Sequence, residues 1–91
     1  MSSPSARDAA HREVDALAAR RGWSERARSD AHELIEIVAG GTTGPREIGN
    51  RYRAITKPLD RSSRARLWQV LRRVARSGLR TLLDAVYRNV L

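Results

Sequence analysis

Residues 61–76 read RSSRARLWQVLRRVAR, and the spacing of their apolar side chains decides the fold class. At about 100° per residue, Leu67, Trp68, Val70, Leu71, Val74 and Ala75 fall on one contiguous arc, which is the signature of an amphipathic helix. Arg61, Arg66, Gln69, Arg72, Arg73 and Arg76 occupy the opposite arc, and only Arg64 falls on the apolar side. The helix contains no acid of its own to offset these arginines. Like charges four apart, such as Arg72 and Arg76, repel each other mildly in an isolated helix. An anion lying against the face would relieve that repulsion.

The same periodicity extends in both directions from this segment. Downstream, Leu79, Leu82, Leu83, Val86 and Val90 form the stripe of a fifth helix. Ser77 and Gly78 mark either a break or a kink, because a helical glycine costs only about 1 kcal/mol relative to alanine. The last two helices are therefore expected either as separate rods or as one kinked helix. Upstream, Ser5 caps a first helix carrying Ala10, Val14, Leu17 and Arg21, which Gly22 ends. This helix is weakly apolar and is expected to pack at an edge. Ser24 caps a second, with Ala27, Ala31, Leu34, Ile35 and Val38 on one face and Gly40 and Gly41 as its stop. Pro45 suits the first turn of a short third helix capped by Thr43 or Gly44, in which Ile48, Tyr52 and Ile55 share a face. Pro58 ends it, since the residue before a proline is pushed out of the helical region. Asp60, Ser62 or Ser63 can start the fourth. No segment alternates with the period-2 pattern of a strand. The expectation is an all-α, single-domain bundle of four to five short helices. Residues 1–4 form a disordered start, 5–39 and 46–91 two helical halves, and 40–45 a glycine-rich loop.

Charge divides the chain at that loop. Residues 1–45 hold six arginines against seven acids, a net of −1. Residues 46–91 hold eleven arginines and Lys57 against Glu47, Asp60 and Asp84, a net of +9. A basic half of this density points to a polyanion, with nucleic acid the natural counterpart and DNA favoured over RNA. Four aromatic residues in 91 are too few for the stacking platforms of single-strand binders, which favours duplex or phosphate contact. The candidate contact residues are Arg46, Arg51, Arg53, Lys57, Arg61, Ser62, Ser63, Arg64, Arg66, Gln69, Arg72, Arg73, Arg76 and Arg80. Residues 46–53 and 61–66 also have the outline of a helix-turn-helix, in which Ser62, Ser63, Arg64, Arg66 and Gln69 would face base edges, arginine suiting guanine and glutamine adenine. The intervening turn, read as residues 55–60, is longer than the usual 3–4 residues and contains a proline.

Other chemistries find little support. Cysteine is absent, which excludes disulfides and thiolate metal sites and is compatible with a reducing cytosol. His11 and His32 stand on different helices without further ligands at metal-binding spacing, so both read as surface residues and no metal or cofactor is expected. The loop at 40–46 lacks the Gly-Lys-Ser/Thr ending of a phosphate-binding P-loop. Trp23 reads as packing across the corner between the first two helices, Tyr52 and Trp68 as core. The serines have no convincing histidine base and acid partner, so no enzyme is expected. No apolar run approaches the ~18–20 residues of a membrane span, and the reading is of a soluble cytoplasmic protein. The first reading is thus a non-enzymatic nucleic-acid binder. The alternative is a small regulator or inhibitor whose basic face docks on an acidic protein or nucleoprotein. The near-neutral N-terminal helices are available for a homodimer.

Overall fold

The computed structural model describes residues 5–90, excepting the side chains of Ser77, Asn89 and Val90. The expected disorder of residues 1–4 lies outside the described residues. Five helices follow in order, α1 (Ala6–Arg21), α2 (Glu25–Gly40), α3 (Pro45–Thr56), α4 (Arg61–Val74) and α5 (Ser77–Val90). Among the described residues there is no strand.

Local chemistry accounts for the helix ends. The Ser5 hydroxyl accepts from the Asp8 amide, the Ser24 hydroxyl from the Ala27 amide, and the Asp60 carboxylate from the Ser63 amide, each at 3.1–3.2 Å. Gly44 stands at the N-cap of α3 without a side-chain bond, ahead of Pro45 in the first turn. Gly22 (φ 67°) and Gly41 (φ 71°) close α1 and α2 in the left-handed conformation, which a Cβ would strain.

α1 and α2 form an antiparallel hairpin, and α4 packs across both. The contact of Arg21 with Ser62 at one end and of Glu13 with Arg73 at the other makes α4 antiparallel to α1. α3 packs on α2, and α5 packs on α3. Val14, Leu34, Ile35, Val38, Ile48, Leu67, Leu71 and Leu83 are at most 1 % exposed and form the centre. Each contributes about 1.5–3 kcal/mol by leaving water. α1 is less peripheral than its composition implies, because Ala10 and Ala18 let it approach its neighbours closely and Val14 is fully buried.

The aromatic residues bridge the last three helices. The edge of Tyr52 meets Trp68 with ring centres 4.8 Å apart, and Trp68 stacks on Tyr87 at 4.9 Å. The Tyr52 hydroxyl donates to the Arg64 carbonyl at 2.7 Å, and burial raises its ionisation above the ordinary tyrosine range. Gly49 is buried where α5 crosses α3; a Cβ there would lie 2.6 Å from Val86 Cγ1.

Three expectations need correction. α4 and α5 are separate helices, and the break falls at Ala75, in extended backbone (ψ 143°), rather than at Ser77 and Gly78. It is stabilised by Arg80, whose guanidinium donates to the carbonyls of Arg72 (2.8 Å) and Ala75 (3.3 Å) at the negative end of α4. Leu82 is 52 % exposed rather than part of the inner stripe. The inward face of α5 is narrow, and Leu79, Leu83, Val86 and Tyr87 fill it. The side chain of Val90 lies outside the described residues. Finally, the turn between α3 and α4 is four residues long, 57–60, because α3 continues through Thr56.

Candidate nucleic-acid interface

The burial pattern of α3 sorts its charges by face. Ile48, Gly49, Tyr52 and Thr56 point inward. Arg46, Asn50, Arg53 and Lys57, at positions i, i+4, i+7 and i+11, form one exposed stripe along a flank of the helix with no acid between them. Arg51 lies outside this stripe. It reaches Glu47 at 3.4 Å within α3 and Glu33 of α2 at 3.9 Å, so its charge is already offset.

The four-residue turn, with Leu59 buried beneath it, leads into the first turns of α4. There Asp60 is the N-cap. Its carboxyl is held below the usual range chiefly by the Ser63 hydroxyl, with a smaller contribution from the Ser63 amide. Ser63 is fully buried, donating to Asp60 and accepting from the indole N–H of Trp23 at 3.1 Å. It faces the corner between α1 and α2, so its assignment to a base edge is overturned. Ser62 is exposed but accepts from Arg21 at 3.0 Å. Arg61, Arg64 and Arg66 are exposed and have no ion pair among the described residues.

The C-terminal half of α4 departs from the reading of an uncompensated basic face. Asp84 of α5 takes Arg72 with a 3.0 Å hydrogen bond from Nη2 and an ion-pair contact of 2.7 Å at Nε. Glu13 of α1 takes Arg73 at 2.9 Å. α4 has no acid of its own, yet its neighbours supply two. Arg80 caps α4, as described above, and its donors are directed at carbonyls. Arg76 is exposed and lies beside the loop leading to α3, where a Cβ on Gly41 would be 3.8 Å from its guanidinium. Arg46, Arg53, Lys57, Arg61, Arg64, Arg66 and Arg76 are therefore the candidates with neither an ion pair nor, like Arg80, a carbonyl partner for the guanidinium among the described residues. Gln69 is exposed beside them.

The placement of α1 limits how α4 could approach a duplex. Glu13, Ser62, Ala65, Arg66, Gln69 and Arg73 line a shallow groove of about 220 Å³ between the two helices. α1 thus borders the side of α4 that bears Arg66, Gln69 and Arg73, while the four-residue turn has the length of a helix-turn-helix.

On the other side of the molecule, the acids of the first half are largely matched internally. Arg28 reaches Asp15 at 2.8 Å and Glu25 at 4.0 Å, Arg7 reaches Glu36 at 3.6 Å, and Arg26 reaches Asp30 at 3.9 Å. Sequence reasoning missed one cluster within this network. His11 and His32, read as separate surface residues, meet at the α1–α2 seam with Nδ1 atoms 2.6 Å apart. His11 Nε2 lies 2.7 Å from Glu36 and His32 Nε2 lies 2.7 Å from Asp15. A signal was present: His11–Asp15 and His32–Glu36 are both i, i+4 pairs, and the cross-helix partners are symmetric about Trp23 and Ser24. Among the described residues no group of three or more His, Cys, Asp or Glu side chains is arranged to hold a metal ion. No described helix is long and apolar enough to cross a membrane.

No protein-family model, curated protein or solved structure matches this chain. Any functional reading rests on its own residues.

Proposed function

We propose that the protein binds duplex nucleic acid, DNA in preference to RNA, through the phosphate backbone and without catalysis. The observation carrying this reading is the row Arg46, Arg53 and Lys57 along a flank of α3. These exposed cations share one helix stripe and have no ion pair among the described residues. Arg61, Arg64 and Arg66 follow directly after the four-residue turn. Cations that lack protein partners are the ones that release counterions from DNA on contact. The strap of α1 along α4 favours backbone contact over base reading.

The test is fluorescence anisotropy of a random-sequence 20-base-pair duplex at several salt concentrations. Replacing Arg46, Arg53 and Lys57 together by glutamine should weaken binding and reduce the salt slope by about 0.9 per lost phosphate contact, or roughly 2.7. Replacing Arg72 and Arg73, whose charges are already offset, should change the slope by less than one unit of that scale. Equal binding by the α3 triple variant would refute the interface. Binding of an acidic polypeptide such as poly-glutamate with no measurable affinity for duplex would instead favour an acidic protein partner.

A further inference from the structure

The contact between His11 and His32 carries an inference independent of nucleic-acid binding. Their ring centres are 4.9 Å apart and the planes are inclined by only 24°. That separation is close to the 2.6 Å Nδ1–Nδ1 contact plus the radii of two imidazoles. The rings therefore meet edge to edge, with each Nδ1 lone-pair direction aimed at the other. Two lone pairs cannot face each other at this distance without something electrophilic between them, and two N–H groups cannot either.

The distance distinguishes a proton from a metal ion. Two imidazoles on a tetrahedral zinc, with Zn–N of about 2.0–2.1 Å, hold their nitrogens about 3.3 Å apart. The observed 2.6 Å is shorter than that and lies just under the usual range for an N–H donor, a gap that holds a proton and nothing larger. The outer nitrogens complete the count. Each Nε2 faces a carboxylate at 2.7 Å and must donate to it, which places one proton on each ring. Adding the proton between the Nδ1 atoms, the pair holds three N–H protons and one positive charge. We propose that His11 and His32 form a proton-sharing clasp that ties α1 to α2 only in this singly charged state.

The surroundings favour that state. Glu36 faces His11, with Arg7 3.6 Å from the same carboxylate oxygen and Asp8 acting weakly against it. Asp15 faces His32 and is itself held by Arg28. Hydrogen bonds from the histidines are the leading reason that both carboxyls lie below their ordinary range. α4, packed against α1, presents Arg73, which Glu13 engages. α3, packed against α2, presents Arg51, which Glu33 and Glu47 engage. Two carboxylates therefore flank the shared charge directly, and both rings are about three-quarters buried.

The test uses the whole protein in two ways. Long-range ¹H–¹⁵N spectra at pH 6.5 should show both Nε2 atoms protonated and the two Nδ1 atoms sharing an intermediate signal. Urea unfolding at pH 6.5 should show His11→Gln and His32→Gln each losing about as much stability as the double variant, because removing either ring dissolves the shared bond. Two histidines titrating independently, each with an ordinary neutral tautomer at pH 7.5, would overturn the clasp. So would stoichiometric zinc, nickel or copper in the purified protein that shifts both imidazole signals when chelated. The spectra of the unaltered chain decide the matter even if a histidine variant fails to fold.

Discussion

Replacing Gly49 by alanine tests the least forgiving contact in the bundle. In most helices the change gains about 1 kcal/mol from backbone entropy. Here the new methyl would lie 2.6 Å from Val86 Cγ1, well inside van der Waals contact. Valine cannot swing its methyl clear, because a β-branched side chain in a helix has one strongly preferred rotamer. The strain must then move α5 off α3, loosening Leu83 and the Trp68–Tyr87 stack. Overpacking of this kind costs about 1–3 kcal/mol, which leaves a net loss of up to about 2 kcal/mol after the helix gain. Gly78→Ala is the matched control, since a Cβ at Gly78 meets nothing within 4 Å. It should be neutral or stabilising by up to about 1 kcal/mol. Thermal melts followed by circular dichroism give the comparison, with about 4–8 °C expected per kcal/mol in a domain of this size. Tryptophan fluorescence should shift in Gly49→Ala alone. If Gly49→Ala melts at or above the temperature of Gly78→Ala, the close approach of α3 and α5 is wrong.

Two further perturbations test the α3–α4 corner and the seam. Ser63→Ala should destabilise the fold by about 0.5–1.5 kcal/mol in urea titrations, because the half-buried indole N–H of Trp23 loses its acceptor. Asp15, Glu36 and Asp60 have carboxyls below their ordinary 3.8, 4.5 and 3.8, so their stabilisation is complete above about pH 4.5 and is lost as pH falls through the lowered values. Asp60→Asn should flatten this acid limb of the stability profile, and an unchanged limb would remove Asp60 from the account.

The parts of this protein legible in the chain are those governed by neighbours within a turn or two. Ser5, Ser24 and Asp60 cap where their spacing to the first apolar residues places them, and Gly22 and Gly41 end helices through their tolerance of positive φ. The inward face of α4 follows directly from a 3.6-residue period. So does the outward row Arg46, Arg53 and Lys57, once Pro45 and Pro58 bracket α3.

Which arginines keep an unmatched charge was decided elsewhere. Arg72 and Arg73 look as exposed on a helical wheel as Arg66, yet Asp84 and Glu13 reach them across 12 and 60 residues of chain. Ser63 looks like a reading residue until Trp23 closes over it. His11 and His32 become a pair only because the hairpin runs antiparallel in one register. A wheel records direction from a single axis, and an ion pair depends on the distance between two axes. That distance is set by the side chains packed between the helices, so pairing of charge belongs to the tertiary structure and amphipathic form to the sequence.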